Sequence, residues 1–269
     1  MLNNEQIFSR VAVFDATGQR HEEASALAER LCLPLLAEQK KGGHTEAELI
    51  VVLQAEHIEL QGTVAEEGGA IVVDFVAGKA GYRRRHGGGW RQPLVRALGL
   101  RAHKPLRIVD ATPGLGQDAF VLAALGAEVK MVERSPVLAV LLEDGLRRLR
   151  AHSQIHALPQ VLLTLERADS RCWLASFLAD NRGERPDVIY LDPMYPHRQG
   201  SALVKKEMRR LRRLVGDDND AEELLPLAMQ VAQSRVVVKR PRHAAHLAAL
   251  LPTMVIESEQ TRYDIYRLG

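Results

Sequence analysis

The stretch Arg107-Ile-Val-Asp-Ala-Thr-Pro-Gly-Leu-Gly-Gln-Asp-Ala-Phe120 decides how this chain is read: an apolar run ends in Asp110, turns through Gly114-x-Gly116 and enters a helical pattern. Glycine adopts positive φ without penalty and lets a ligand approach the backbone, while the N-terminus of the helix that follows offers unpaired N–H groups. A ligand is expected at this turn. Read strictly, Gly114-Leu-Gly116-Gln-Asp-Ala119 also fits the dinucleotide fingerprint Gly-x-Gly-x-x-Ala, which admits a nicotinamide or flavin enzyme. Glu133 closes the next apolar run 23 residues after Asp110, where an acid can accept both hydroxyls of a ribose in either cofactor class. Together these features favour an adenosine-type ligand over the plain alternatives, a chain-reversing turn and a solvated glutamate.

Outward from this turn, apolar runs over 106–111, 129–133, 161–165, 188–191 and 235–239 alternate with helical patterns over 118–125, 136–150 and 171–179 and a polar helical pair over 205–233. Strand–helix alternation at this spacing predicts an α/β fold, a mostly parallel sheet with helices on both faces. Runs over 254–257 and 262–266 alternate like strands and suit an antiparallel edge. Before residue 100 the pattern differs: strands are expected over 11–14, 49–53, 57–60 and 70–75 and a helix over 22–31. This reads as a small α+β N-terminal region with a largely antiparallel sheet. The expected domains are 1–100 and 101–269. A length of 269 residues, at roughly 150 per domain, agrees with one large or two modest domains.

Hydrophobic residues at 46% and charged residues at 26% exclude disorder as the main state. Cys32 and Cys172, the two cysteines, give neither a disulfide framework nor a cysteine-rich zinc site, so a cytoplasmic location is expected. No signal peptide or membrane-length apolar run is read. His152 and His156 lack the glutamate of a zincin motif, and no carboxylate cluster suits Mg²⁺, so no metal is expected.

The chemistry is carried by the fourth strand and its turn, Asp187-Val-Ile-Tyr-Leu-Asp-Pro-Met-Tyr-Pro-His197. An Asp-Pro-aromatic turn at the carboxyl end of a strand beside a topological switch point faces the ligand crevice. An exocyclic base amine is a poor nucleophile because its lone pair is delocalised into the ring. Asp192 and the Pro193 carbonyl can both accept its hydrogens, which favours a pyramidal nitrogen aimed at a methyl donor. Tyr195 can stack on the base. Neither proline aids hydride transfer.

The net charge of +2 hides segregation. Residues 79–91 carry five positive charges and no acid, with Arg83, Arg84 and Arg85 beside flexible glycines, Tyr82 and Trp90. This mixture suits phosphate contact and base stacking. Residues 205–213, beginning Lys205-Lys206, carry six basic side chains and one acid, followed by an acidic run over 217–223. Intramolecular pairing is the bland reading of that second block. Lys239 and Arg240 follow the fifth strand on the ligand-bearing edge and are candidates for RNA backbone contact. His197 can contact RNA or cap its turn.

The pair Asp110-Ala-Thr-Pro-Gly-Leu-Gly116 and Asp192-Pro-Met-Tyr195 resembles class I S-adenosylmethionine methyltransferases that act on exocyclic amines, a Rossmann-like fold. The wider stretches Gly114–Leu122, Tyr190–His197, Ser201–Met208 and Arg235–Pro241, with Val72–Phe75 and Arg84–Gly89, are similar to the ribosomal RNA small subunit methyltransferase J family over most of residues 70–269. The resemblance implies N2-methylation of a 16S rRNA guanosine, number 1516 in the usual bacterial scheme, with S-adenosyl-L-methionine as cofactor. It implies 16S rRNA or the 30S particle as partner. Carried over by motif, cofactor contacts fall on Gln117, Asp118, Glu133, Arg134, Asp169, Ser170 and Asp192, beside Asp110, Gly114 and Gly116 of the turn. Gln117 departs from the basic residue common in the family, and Asp169 from a small hydroxyl residue; an acid there can accept from the adenine amine. Two rivals stand: an NAD(P)-type oxidoreductase, for which no catalytic set is found, and a non-catalytic rRNA-binding assembly factor. Oligomeric state is not read from the sequence.

Overall fold

The computed structural model describes residues 10–38, 47–63, 69–76, 89–152, 162–180, 184–194, 206–215 and 220–269. Two compact units form, neither contiguous in sequence. One comprises residues 1–73, 135–148 and 196–217, the other 74–134, 149–195 and 218–269.

The first unit holds a four-stranded sheet of β1 (Val11–Asp15), β2 (Leu35–Leu36), β3 (Leu49–Leu53) and β4 (Ile58–Gly62), with α1 (His21–Leu31) between β1 and β2. Its order is β2-β1-β3-β4. The expectation of a largely antiparallel sheet is corrected: β1 pairs parallel with both β2 and β3, and the named strands pair antiparallel only at β3–β4. The helix α1 returns the chain for a parallel strand, whereas the short link at residues 54–57 makes a hairpin. The strand expected over 70–75 reduces to a bridge between Leu60 and Ile71. Residues 136–148 of α4 (Pro136–Ala151) belong to this unit.

The second unit is built on a seven-stranded sheet of β5 (Arg107–Asp110), β6 (Glu128–Glu133), β7 (Leu163–Arg167), β8 (Val188–Leu191), β9 (Arg235–Pro241), β10 (Met254–Glu257) and β11 (Thr261–Arg267). The order β10-β11-β9-β8-β5-β6-β7 is parallel from β9 to β7 and antiparallel at β9–β11 and β10–β11. The sheet runs outward from β5 in both directions, so the switch point lies between β5 and β8. The third parallel strand forms over 163–167, since the run from Val161 extends into polar residues that pair with β6.

Strand alternation sorts the side chains of this sheet. Val109, Ile189, Leu191, Val236 and Val238 enter one core with Leu174 of α5 (Ser170–Asp180) and Leu225, Ala228 and Val231 of α7 (Ala221–Val231). Residues one step out of phase face the other way. There Arg235 donates to the Ala97 carbonyl of α2 (Pro93–Leu98), and Tyr190 and Lys239 reach Asp118 of α3 (Gln117–Ala124). Helices thus cover both faces, as the sequence predicts. Phe75 stacks on Phe120 of α3 with centroids 5.2 Å apart, so the end of its apolar run is spent on packing instead of pairing. The helix α2 was not read in the sequence, although Pro93 at its first turn and Gly99 in the left-handed C-cap are its start and stop signals. The remaining helix, α6 (Lys206–Val215), belongs to the first unit.

Candidate functional site

The turn after β5 has the form the glycines predict. Gly114 and Gly116 hold φ of +54° and +68°, and nothing lies within 4 Å of where a Cβ on Gly114 would stand. Gly116 is the N-cap of α3, and its carbonyl accepts the Phe120 N–H at 2.9 Å. The backbone therefore leaves an open cradle at a helix N-terminus, where a ligand can come close to the chain. Gln117 opens the helix, half-buried.

Asp110, Asp118, Asp192 and Lys239 converge beside this cradle. Lys239 Nζ lies 2.7 Å from Asp192 Oδ2 and 3.2 Å from Asp118 Oδ2. Asp118 Oδ2 also accepts the Tyr190 hydroxyl at 2.7 Å. The Asp192 N–H donates to Thr112 Oγ1 at 2.5 Å, and the Thr112 N–H to Asp110 Oδ1 at 3.2 Å. Pro193 follows directly, buried. Asp110 is only 1% exposed; burial pushes its carboxyl well above the usual carboxylate range, the charges of Asp118 and Asp192 add to this, and Lys239 and the Thr112 N–H oppose it. Burial likewise raises the Tyr190 phenol, reinforced by Asp118 and Asp192. For Lys239 burial works against the charge, but Asp192 and Asp118 outweigh it and hold the ammonium above its ordinary value.

A second group forms at the ends of β6 and β7. Glu133 is a buried acid at the end of β6. Asp169 precedes α5 and caps it, its Oδ1 accepting the Arg171 and Cys172 N–H groups at 2.9 and 3.4 Å. Burial would raise the Asp169 carboxyl, but Arg171 and these N–H groups more than offset it and keep it below its ordinary range. Arg171 extends to Asp220 and Glu223 at 3.1 and 3.0 Å, and Arg134 reaches Asp220 at 2.6 Å. The Ser170 hydroxyl is turned inward, donating to the Ala111 carbonyl at 2.7 Å.

Of the candidate RNA contacts, Trp90 is 41% exposed in a short 3₁₀ turn over Gly89–Arg91. Arg240 is buried, its guanidinium donating to the Ala245 carbonyl at 2.8 and 3.1 Å. Lys239 stands in the carboxylate cluster. Arg83, Arg84, Arg85, Tyr195, His197 and Lys205, with the side chain of Lys206, lie outside the described residues. Tyr190, Thr112 and the linking role of Lys239 were missed. The signal was present: counting in twos from Asp192 puts Tyr190 on its face of β8, and counting from Val237 does the same for Lys239 on β9. Among the described residues no three His, Cys, Asp or Glu side chains group as metal ligands, and no helix is long and apolar enough to cross a membrane.

The donor set fits an adenosine-bearing cation: an open glycine cradle, a strand-end acid for a diol and, among the described residues, three carboxyl groups against the Lys239 ammonium. Comparison with known proteins agrees. Residues 34–268 match a family described as "Putative SAM-dependent methyltransferase". The chain is 48% identical to the ribosomal RNA small subunit methyltransferase J of Nitrosococcus oceani, over 94% of this chain and 96% of that one. It is 44% identical to the protein of the same name from Thioalkalivibrio sulfidiphilus, over 97% and 99% of the two chains. A crystal structure of a SAM-dependent methyltransferase from Neisseria gonorrhoeae superposes with a TM-score of 0.70 at 32% identity, covering 96% of this chain and 95% of that one. The chain belongs to the ribosomal RNA small subunit methyltransferase J family of S-adenosylmethionine-dependent methyltransferases.

Proposed function

We propose that this protein methylates the exocyclic N2 amine of a guanosine in 16S rRNA, the one numbered 1516 in the bacterial scheme. The substrate is the rRNA itself or the 30S particle, in the cytoplasm. The observation that carries this reading is the Asp192–Pro193 turn at the end of β8, next to the glycine cradle at the switch point. When bound, S-adenosyl-L-methionine supplies an electrophilic methyl on a sulfonium. The turn around Gly114 and Gly116 takes its backbone side, Glu133 the ribose hydroxyls and Asp169 the adenine amine.

Asp192 and the Pro193 carbonyl accept the two N2 hydrogens and turn the nitrogen lone pair out of the base plane. Tyr195 stacks on the base. The amine proton becomes acidic only as the new bond forms, so no strong general base is required, and Asp192 is the nearest acceptor for it. The base must be unstacked or flipped to reach this turn. Trp90, the arginines at 83–85 and Lys205–Lys206 serve as the RNA-contacting set.

Nucleoside mass spectrometry of small-subunit rRNA fragments tests this, comparing cells lacking the gene with cells restored by wild type or by Asp192→Asn. Loss of one N2-methylguanosine, returned by wild type alone, is the expected result. A methylation map unaffected by the deletion would sink the assignment.

A further inference from the structure

Lys239 on β9 stands between two carboxylates. Its side chain is 25% exposed, and a desolvated ammonium is costly unless it is paired. The two partners it holds come from different parts of the site. Asp118 stands in the first turn of α3, beside the cradle; Asp192 ends β8, where the amine is to be received. Among the described residues, the charged and titratable groups around this ammonium are Asp118 on α3, Tyr190 on β8, Asp192 after it, Asp110 on β5 and Tyr263, its cross-strand partner on β11. Three of these five are carboxylic acids, and Lys239 is the cation set against them.

We propose that Lys239 is a positioning residue for methyl transfer: one ammonium ties the Asp118 and Asp192 carboxylates together, fixes the rotamer of Asp192 and keeps it ionised. The inference rests on reading Asp192 as the acceptor of the amine hydrogens. An acceptor carboxylate that takes up a proton becomes a donor on that oxygen and repels the amine it should orient. With Asp118 close by, ionisation of Asp192 is opposed by like charge, and the ammonium at 2.7 Å reverses that balance. Lysine serves better than arginine at this point, because a compact charge can bridge two carboxylates approaching at 2.7 and 3.2 Å without needing a planar fork.

The test uses the full-length protein as wild type, Lys239→Met, Lys239→Arg and the double variant Lys239→Met/Asp118→Asn. Single-turnover methyl incorporation into 16S rRNA and 30S particles from cells lacking the gene is followed from pH 4 to 9, with S-adenosylhomocysteine binding by calorimetry and a thermal melt of each protein. In Lys239→Met the acid limb of the rate is expected to move up by about one pH unit or more. The rate then falls at the acid end of the range, by about tenfold for each pH unit below the shifted limb, and recovers as pH rises, while S-adenosylhomocysteine, which lacks the sulfonium charge, binds as before. Lys239→Arg keeps the wild-type limb, and Asp118→Asn in the Met background moves the limb back down by removing one like charge. A Lys239→Met profile superimposable on wild type overturns the proposal. So does an equal loss at every pH in both Met and Arg variants together with lost binding, which is the signature of a structural role. If wild type itself methylates neither substrate, the functional reading fails and this inference with it; wild-type activity with an unshifted Met profile sinks this inference alone.

Discussion

Two ionic clusters, one in each compact unit and each built on a buried acid, solve opposite problems. In the first unit Asp144 of α4 is a single carboxylate surrounded by donors: Arg147 at 2.7 Å, Arg148 Nε at 2.9 Å and the Ile58 N–H at 3.1 Å. The guanidiniums continue outward to the Glu56 and Val73 carbonyls, so one acid ties α4 to β4 and to the segment after it. Although burial opposes it, these donors hold the Asp144 carboxyl below its ordinary value. In the second unit three carboxyl groups, Asp110, Asp118 and Asp192, share one ammonium. A cluster with surplus donors around one acid is a fastener. A cluster with surplus acid, opening on a glycine cradle, is a place for a cation to arrive, and perturbed carboxyls of this kind gather at functional sites.

The largest effect that would break the comparison is on chemistry. Asp192→Asn is expected to cut single-turnover methyl transfer by about 10²–10³-fold, the scale for losing one well-aimed electrostatic contact. Stability should change by no more than about 1 kcal/mol, because Asp192 is 37% exposed and its ion pair is partly screened. A melt that collapses along with the rate would make Asp192 a fastener too.

Asp144→Ala should do the reverse. Removing the carboxylate leaves Arg148 and the Ile58 N–H without their partner, a loss of about 3–5 kcal/mol in urea unfolding. Arg147→Ala, on the exposed side of the same cluster, should cost about 1 kcal/mol or less. Equal costs for the two would show that the cluster is not organised around its buried acid.

Next in size is Gly145, one position along α4. A Cβ there would meet Val73 Cγ1 at 2.5 Å and the Val73 carbonyl oxygen at 3.0 Å. Alanine is the better helix former by about 1 kcal/mol, but neither a β-branched side chain nor a backbone oxygen yields cheaply, and overpacking costs about 1–3 kcal/mol. Gly145→Ala is therefore expected to destabilise by about 1 kcal/mol in chemical denaturation. A gain in stability would show that the Val73 segment moves aside freely.

The two regions also differed in how far the sequence revealed them. The turn at Gly114–Gly116 and the Asp192–Pro193 turn are local: glycines with positive φ and a proline after a strand-end acid write their geometry into a few adjacent residues. The pairing of β1 with β3 is not local, since Val11 meets Leu49 only across the fold, and no residue in Leu49–Leu53 encodes parallel against antiparallel. Lys239 lay between these cases. Its place on the ligand-bearing edge was legible from strand order, but its partners were not, because Asp118 is 121 positions away and meets it only across the fold. Asp144 gave no signal at all: an acid four residues before an arginine on a helix reads as an ordinary surface pair.

The finest test concerns Asp110, which decides how large the surplus of acid is. Its folded carboxyl is held above the ordinary value of 3.8 by burial first and by Asp118 and Asp192 after it. In the unfolded chain it ionises normally, so as pH rises past that value the folded state retains a proton that the unfolded state has given up. Stability is lost with rising pH until the folded carboxyl itself ionises. Asn keeps an oxygen for the Thr112 N–H and has no proton to lose. Asp110→Asn should therefore match wild type near pH 4 and exceed it progressively toward pH 8 in chemical denaturation; a gap that stays constant with pH would mean that Asp110 is not held protonated. The same variant measures the field at the cradle. If Asp110 is neutral in the fold, Asp118, Asp192 and Lys239 leave a net charge of −1, and Asp110→Asn preserves the ratio of affinities for S-adenosylmethionine and S-adenosylhomocysteine, whereas Asp192→Asn lowers it. A ratio that falls equally in both would make Asp110 a third ionised partner for the sulfonium, and the contrast with the donor-rich cluster at Asp144 would be larger still.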